Sequence, residues 1–289
     1  MTTIEAILAR RSVRRFEDRE VPEDIRRLVA EHALKLEPLV PGNRFSFSLL
    51  PIVGKSEELA AVMGGYGKLV SARHLLLPRI GGADHVLEDF GFRVEQLVIE
   101  LTRLGLASCW IAALGHEAEV LDRFRASRDE RVPAVVVFGY PAGKAAARGF
   151  NSSIRAALGA NRPPAFDRWV FEGTFGNPAR LTPFRERTLE ALRRSPSAGN
   201  SRPWRVVLRG ADAFLALVLD TPYYRLSKGV KLGYHRLDGG IGMANLSLAL
   251  AALDRPGSWT MLDNEPSLRD ELALPANTEL LARIALPEG

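Results

Sequence analysis

Apolar positions near the start of the chain recur at helical spacing, Ile4, Ile7 and Leu8 in one stretch and Ile25, Leu28, Val29 and Ala33 in a second. Between them Val21-Pro22-Glu23-Asp24 sets a proline and two acids where a helix begins. Phe45 to Val53 reads as a strand, and Phe90 to Leu106 as a long apolar helix that ends near Gly105. Val132 to Tyr140 (VPAVVVFGY) is a β-branched run suited to a buried strand. The stretch from Pro141 to Pro183 is rich in Gly, Ala, Asn, Pro and Arg and shows no core of its own, so it reads as a long connection or a wrapping arm. After it the order begins again. Leu189 to Leu192 suggests a short helix, Trp204 to Leu208 a strand, Leu237 to Leu253 a second long helix and Leu280 to Leu286 a last strand.

The two long helices can be laid on each other without gaps. Setting Asp89 against Asp238, an offset of 149 residues, also pairs Gly91 with Gly240, Leu97 with Leu246, Leu101 with Leu250, Leu104 with Leu253 and Trp110 with Trp259. The leucines alone could belong to any amphipathic helix. The flanking Asp, Gly and Trp are not explained by periodicity and point to an internal duplication, against the plainer reading of two unrelated helices with similar stripes.

Composition narrows the chemistry. With 289 residues, 46% of them hydrophobic and 25% charged, the chain has the profile of a globular protein long enough for two units. No run approaches the ~20 apolar residues of a membrane span. The N-terminus MTTIEAILARRSVRRF has neither the apolar core nor the cleavage site of a signal peptide, so a cytoplasmic protein is expected. A single cysteine, Cys109, excludes an intrachain disulfide and sits in an apolar run where a buried thiol is expected. The five histidines lack metal-ligand spacing, so no metal is expected. The net charge of +5 is spread along the chain without a basic run interleaved with aromatics, which argues against a nucleic-acid partner.

Two segments carry candidate chemistry. Arg10-Arg11-Ser12-Val13-Arg14-Arg15 gathers guanidiniums and a hydroxyl directly after a short helix, the makings of an anion cradle; by itself such a run also reads as a solvated basic face. Ser195-Pro196-Ser197-Ala198-Gly199-Asn200-Ser201-Arg202-Pro203-Trp204 lets the backbone approach a flat ligand, and Asn200 can both donate and accept. By itself this is also an ordinary loop between a helix and a strand.

Together, RRSVR near the start and SPSAGN before a Pro-Trp strand resemble the nitroreductase family. So do the Asp-x-Gly helix followed by GLASCWIAAL, VVVFGYP followed by Lys144 and Arg148, and the arm sequence NRPPAFDRW. The resemblance implies an α+β fold, with two tandem nitroreductase-like units, 1–165 including the arm and a degenerate 166–289, forming an intramolecular pseudo-dimer around central helices. It implies FMN as cofactor and NADH or NADPH as electron donor. For the phosphate and ribityl chain it implies Arg10, Arg11, Ser12, Arg14, Lys144 and Arg148; for the ring it implies Pro196, Ser197, Ala198 and Asn200. Trp110, Ile111 and Ala112 would lie at the flavin N5 edge, with backbone groups of Ile111 and Ala112 towards N5. No catalytic side chain is implied, because the flavin carries the chemistry.

The chain departs from the family in how the motifs are shared out. The first unit keeps RRSVR but has Glu37-Pro38-Leu39-Val40-Pro41-Gly42-Asn43 in place of PSAGN, and the second keeps SPSAGN without an arginine motif before it. Family sites take the arginine motif from one subunit and the PSAGN loop from the other, so the surviving halves are the two that would share one site. The expectation is a monomer with one complete FMN site, catalysing NAD(P)H-driven ping-pong reduction of a small nitroaromatic, quinone or flavin-type acceptor. An FMN-binding sensor or carrier without turnover, or another flavin reaction such as that of an oxidase, dehydrogenase or dehalogenase, remains open on the same residues.

Overall fold

A computed structural model of the protein describes residues 1–52, 70, 72–113, 115–125, 127, 129–143, 163–226 and 230–289. Its fold is α+β, and it divides into two compact units, Met1–Asn161 and Arg162–Gly289.

In the first unit, α1 (Thr3–Ala9) starts on a capping box: the Thr2 hydroxyl accepts from Glu5 N–H, and Thr2 N–H donates to the Glu5 carboxylate. α2 (Glu23–Ala33) begins behind Pro22 with two acids in its first turn. Both pack on the long helix α3 (Val86–Arg103), whose Phe90, Val94, Leu97, Val98 and Leu101 are fully buried. The sheet behind it contains β1 (Arg44–Pro51), β2 (His74–Gly81), β3 (Ala107–Ala112) and β4 (Ala134–Gly139), in the order β1-β2-β4-β3 with every pairing antiparallel. β4 is buried at every position because it is central and covered on both faces, which is why it reads as an unbroken apolar run. Helix α4 (Glu117–Arg123) contributes Val120 to the same core.

The second unit repeats this plan. α5 (Pro183–Arg193) is capped by Thr182 with proline in its first turn and packs on the long helix α7 (Tyr234–Ala251). Its sheet joins β5 (Val170–Glu172), β6 (Trp204–Arg209), β7 (Asp212–Val218), β8 (Thr260–Met261) and β9 (Thr278–Ala285) in the order β5-β6-β7-β9-β8. β6-β7-β9-β8 is antiparallel throughout and follows the same path as β1-β2-β4-β3. Short helices α6 (Pro222–Leu226) and α8 (Pro266–Glu271) fill the connections.

The elements predicted at Ile4–Leu8, Ile25–Ala33, Phe45–Val53, Phe90–Leu106, Val132–Tyr140, Leu189–Leu192, Trp204–Leu208, Leu237–Leu253 and Leu280–Leu286 are present with shifted ends; Val53 itself lies outside the described residues. Residues 144–162 of the arm lie outside the described residues; its end, 163–183, differs from the reading as a segment without a core. Trp169, Val170 and Phe171 are buried, and β5 adds parallel to β6 as an extra edge strand. The strands at β2 and β7 went unread because HLLLPRIG and DAFLALV are central strands with almost no polar alternation. β8 pairs over only two residues and leaves no pattern to read.

Candidate functional site

The arginine segment leaves α1 at Arg10 and turns extended, Arg10 having φ −51° and ψ 132°. It is then stitched to two strands. Ser12 bridges Ser108 of β3, Val13 N–H donates to Ser108 O at 2.9 Å, and Glu17 N–H donates to Tyr140 O just past β4 at 2.9 Å. Ala142 N–H returns a bond to Arg15 O at 3.0 Å. This fixed track buries Arg10 and Arg14, which are 9% and 7% exposed.

Arg10 reaches the Ser12 hydroxyl at 3.5 Å, Arg14 reaches Ser12 O at 3.5 Å, and the buried Nε of Arg10 has no hydrogen-bond partner among the described residues. Burial lowers the proton affinity of Arg10, with the charges of Glu95 and Cys109 acting in the opposite direction. A desolvated cation with an open donor suits an anion, so the arginines fit a phosphate. Arg11 is different: it is exposed and donates to Leu8 O at 2.6 Å and Arg10 O at 2.7 Å.

Beside this segment runs β3. It is the edge strand of its sheet and so presents backbone groups on its outer side. Trp110 is half-buried, its indole N–H donating to the buried Glu95 at 3.0 Å. The Ile111 side chain belongs to the core and its backbone is turned towards β4, in phase with Ala113, whose N–H donates to Pro133 O at 2.8 Å; the backbone of Ala112, in phase with Ser108, is on the outer side, and Ala112 ends the strand opposite Ala134. Lys144 and Arg148 lie outside the described residues.

In the second unit the SPSAGN loop follows α5. Ser195 is buried, donates to Ala191 O at 3.3 Å and accepts from the Asn245 amide at 2.8 Å. Ala198 to Asn200 form one tight turn with Gly199 and Asn200 both left-handed, at φ 56° and 55°. Glycine is required at 199: a Cβ there would lie 2.2 Å from Cδ2 of Tyr223. Ser197 Oγ closes the loop by accepting from Arg202 N–H at 2.9 Å. Pro196, Ser197, Ala198 and Asn200 are all partly exposed, as ligand-facing positions must be.

The anchor of this loop is Asp238 in the first turns of α7. Ala198 N–H donates to its two oxygens at 3.0 and 3.1 Å, Ser201 Oγ lies 3.4 Å away, and the Tyr224 hydroxyl donates at 2.5 Å. Sequence reading used Asp238 only to align the repeat and passed over Tyr223 and Tyr224; the available signal was a lone acid at the head of an otherwise apolar helix. Asp89, the aligned residue of the first unit, holds the degenerate loop in the same way. It accepts from Leu39 N–H at 2.8 Å and from the Asn43 amide at 3.2 Å. Asn43 is buried, and its amide also reaches Asp84 O at 3.0 Å, so it works inside the unit.

The second unit carries a buried arginine of its own, Arg185 on α5, whose guanidinium donates to the carbonyls of Leu286, Pro287 and Gly210. Among the described residues no group of His, Cys, Asp and Glu could hold a metal ion, and no helix is long and apolar enough to cross a membrane.

The chain is similar over 99% of its length to a "putative nitroreductase" of known structure from Thermotoga maritima, at 18% identity, 94% of that chain and a TM-score of 0.60. Over 49% of its length it is similar to an FMN-dependent nitroreductase from Clostridium difficile, at 19% identity, 88% of that chain and a TM-score of 0.42. It is similar over the same share to an NADPH:FMN oxidoreductase from Vibrio harveyi complexed with NAD+, at 21% identity, 69% of that chain and a TM-score of 0.44. No curated protein matches the chain. The family model "Putative TM nitroreductase" matches residues 2–250, a span that holds both the buried arginines and the SPSAGN loop, and the chain belongs to that nitroreductase family.

Proposed function

We propose that this protein is an FMN-dependent oxidoreductase that draws on NADH or NADPH and reduces a small nitroaromatic, quinone or flavin-type acceptor. The observation that supports the reading is the desolvated Arg10 and Arg14 pair, with the open Nε of Arg10, at the head of a nitroreductase-family chain. When bound, FMN supplies the two-electron chemistry, and the protein supplies binding and orientation.

Arg10 and Arg14 would hold the phosphate, with the Ser12 hydroxyl as a further donor. Both side chains are already buried on the backbone track that ties the segment to β3 and β4, so little side-chain freedom is left to lose on binding. Ile111 and Ala112 would lie along the polar edge of the ring, with the backbone groups of Ala112, on the outer edge of β3, towards it. Pro196, Ser197, Ala198 and Asn200 would cover the ring, the left-handed turn at 199–200 bringing main chain close to a flat surface. Lys144 and Arg148 complete the proposed phosphate set, whereas Arg11 is directed at its own backbone and would add charge alone.

The absorption spectrum of the purified protein, with the ratio of flavin to chain, tests the proposal. The expected result is one FMN per chain, whose visible band bleaches under anaerobic NADH or NADPH and recovers on adding acceptor. A chain that takes up no flavin when incubated with FMN would sink it.

A further inference from the structure

Asp238 holds the SPSAGN loop at its middle and at its exit. Its carboxylate accepts from Ala198 and Ser201, and its backbone carbonyl accepts from the Trp204 indole at 3.1 Å, where the loop enters β6. The aligned Asp89 does similar work but has a cation one helical turn later, Arg93, whose Nε lies 3.0 Å from Oδ1. On α7 that place is taken by Gly242. A side chain there would collide with Trp204 and Leu192, the Cβ falling 2.5 and 2.6 Å from them. Asp238 is therefore a buried carboxylate held by hydrogen bonds where its counterpart is held by an ion pair.

The groups facing Asp238 come from three elements. Tyr223 and Tyr224 lie on α6, Ser201 and the Ala198 N–H on the loop, and His235 on its own helix. His235 is in turn engaged by Glu279 of β9 at 2.7 Å, and Arg236 reaches the other oxygen of that carboxylate at 2.8 Å.

We propose that Asp238 is the positioning residue of the SPSAGN loop, and that its ionised form, by accepting from Ala198 and Ser201, sets the loop in the shape that receives the flavin. The inference rests on the FMN reading above. A protonated carboxyl has one acceptor fewer and an O–H of its own to place, so these bonds are at full strength only to the charged form. Burial pushes the Asp238 carboxyl up to about 7, against the donors from Tyr224, Ala198 and Ser201 that pull it down. The two forms therefore exchange in the range where the protein can be handled.

FMN is titrated into the full-length apoprotein between pH 5.5 and 8.5, with flavin fluorescence as readout. For the native chain the dissociation constant should rise about ten-fold as the pH falls from 8 to 6, the size of one charge-assisted bond. The FMN phosphate also titrates near pH 6, but it contributes equally to every variant. Asp238→Asn should bind weakly and keep only that shared dependence, and Asp238→Glu should restore a step. Where Asp238→Asn does not fold, Tyr224→Phe decides: it removes a donor to the charged form, and the step should move to higher pH. Identical pH profiles for the native chain and Asp238→Asn, or a step unmoved in Tyr224→Phe, overturn the role of Asp238 and leave FMN binding standing. No FMN binding at any pH overturns both.

Discussion

Arg10 and Asn43 are both buried polar side chains, yet their partners predict opposite phenotypes. Arg10 reaches the Ser12 hydroxyl at 3.5 Å and its buried Nε has no hydrogen-bond partner among the described residues, so alanine there should cost the fold little and ligand binding more, and alanine at Arg14 should likewise weaken ligand binding. A charge-assisted phosphate contact is worth roughly 1.5–3 kcal/mol, so FMN affinity should fall about ten- to hundred-fold in each variant, read by titration of apoprotein. Asn43→Ala strands the Asp89 oxygen and the Asp84 carbonyl that its amide serves. It should lower the thermal midpoint, at a cost of about 1–3 kcal/mol, and leave FMN affinity unchanged. Asn200→Ala should act on the ring end, shifting the flavin spectrum together with its affinity. Asp238 adds a stability signature. Its folded-state pKa of about 7 lies above the usual carboxyl value, so the native chain binds more protons than the unfolded chain from about pH 4 to 7. Stability should therefore fall as the pH rises through that window and level off above it. Thermal melts across pH should show this slope in the native chain and lose it in Asp238→Asn.

At the scale of elements, what was legible followed from periodicity and punctuation. The long helices, β4 and β6 could be read because their apolar runs have flanking proline, glycine or charge. β2 and β7 could not, since a strand buried on both faces has no alternation to separate it from a helix. β5 was hidden because its three residues gain their burial from β6, a partner more than thirty positions away. The candidate site divides the same way. RRSVR and SPSAGN were visible because they concentrate unusual residue types, whereas the Asp238 anchor is a single common residue whose meaning depends on where a distant loop lands. The Gly199 turn gives a prediction at this scale. Gly199→Ala must adopt a left-handed φ and meet the Tyr223 ring, so it should reduce both stability and FMN affinity. Adding Tyr223→Ala should recover part of the loss by removing the steric share alone; if the double variant melts no higher than Gly199→Ala, the close approach is not what demands glycine.

For the whole molecule, two sheets with a common strand path and a single RRSVR segment, with the unpartnered Nε of Arg10, lead to a count. The chain should bind one FMN, and light scattering at micromolar concentration should return the mass of a single chain, about 31.8 kDa. A stoichiometry of two equivalent flavins would show that the degenerate Glu37–Asn43 loop serves a second site after all. The extra strand β5 also bears on how this protein can be cut. The repeat in the sequence restarts at Pro183, which invites a truncation there, but β6 would then lose its parallel neighbour and offer a bare row of N–H and C=O groups to any passing chain. A fragment begun at 183 should therefore precipitate or form fibrous aggregates, while one begun at 162 keeps that edge covered by its own three-residue guard.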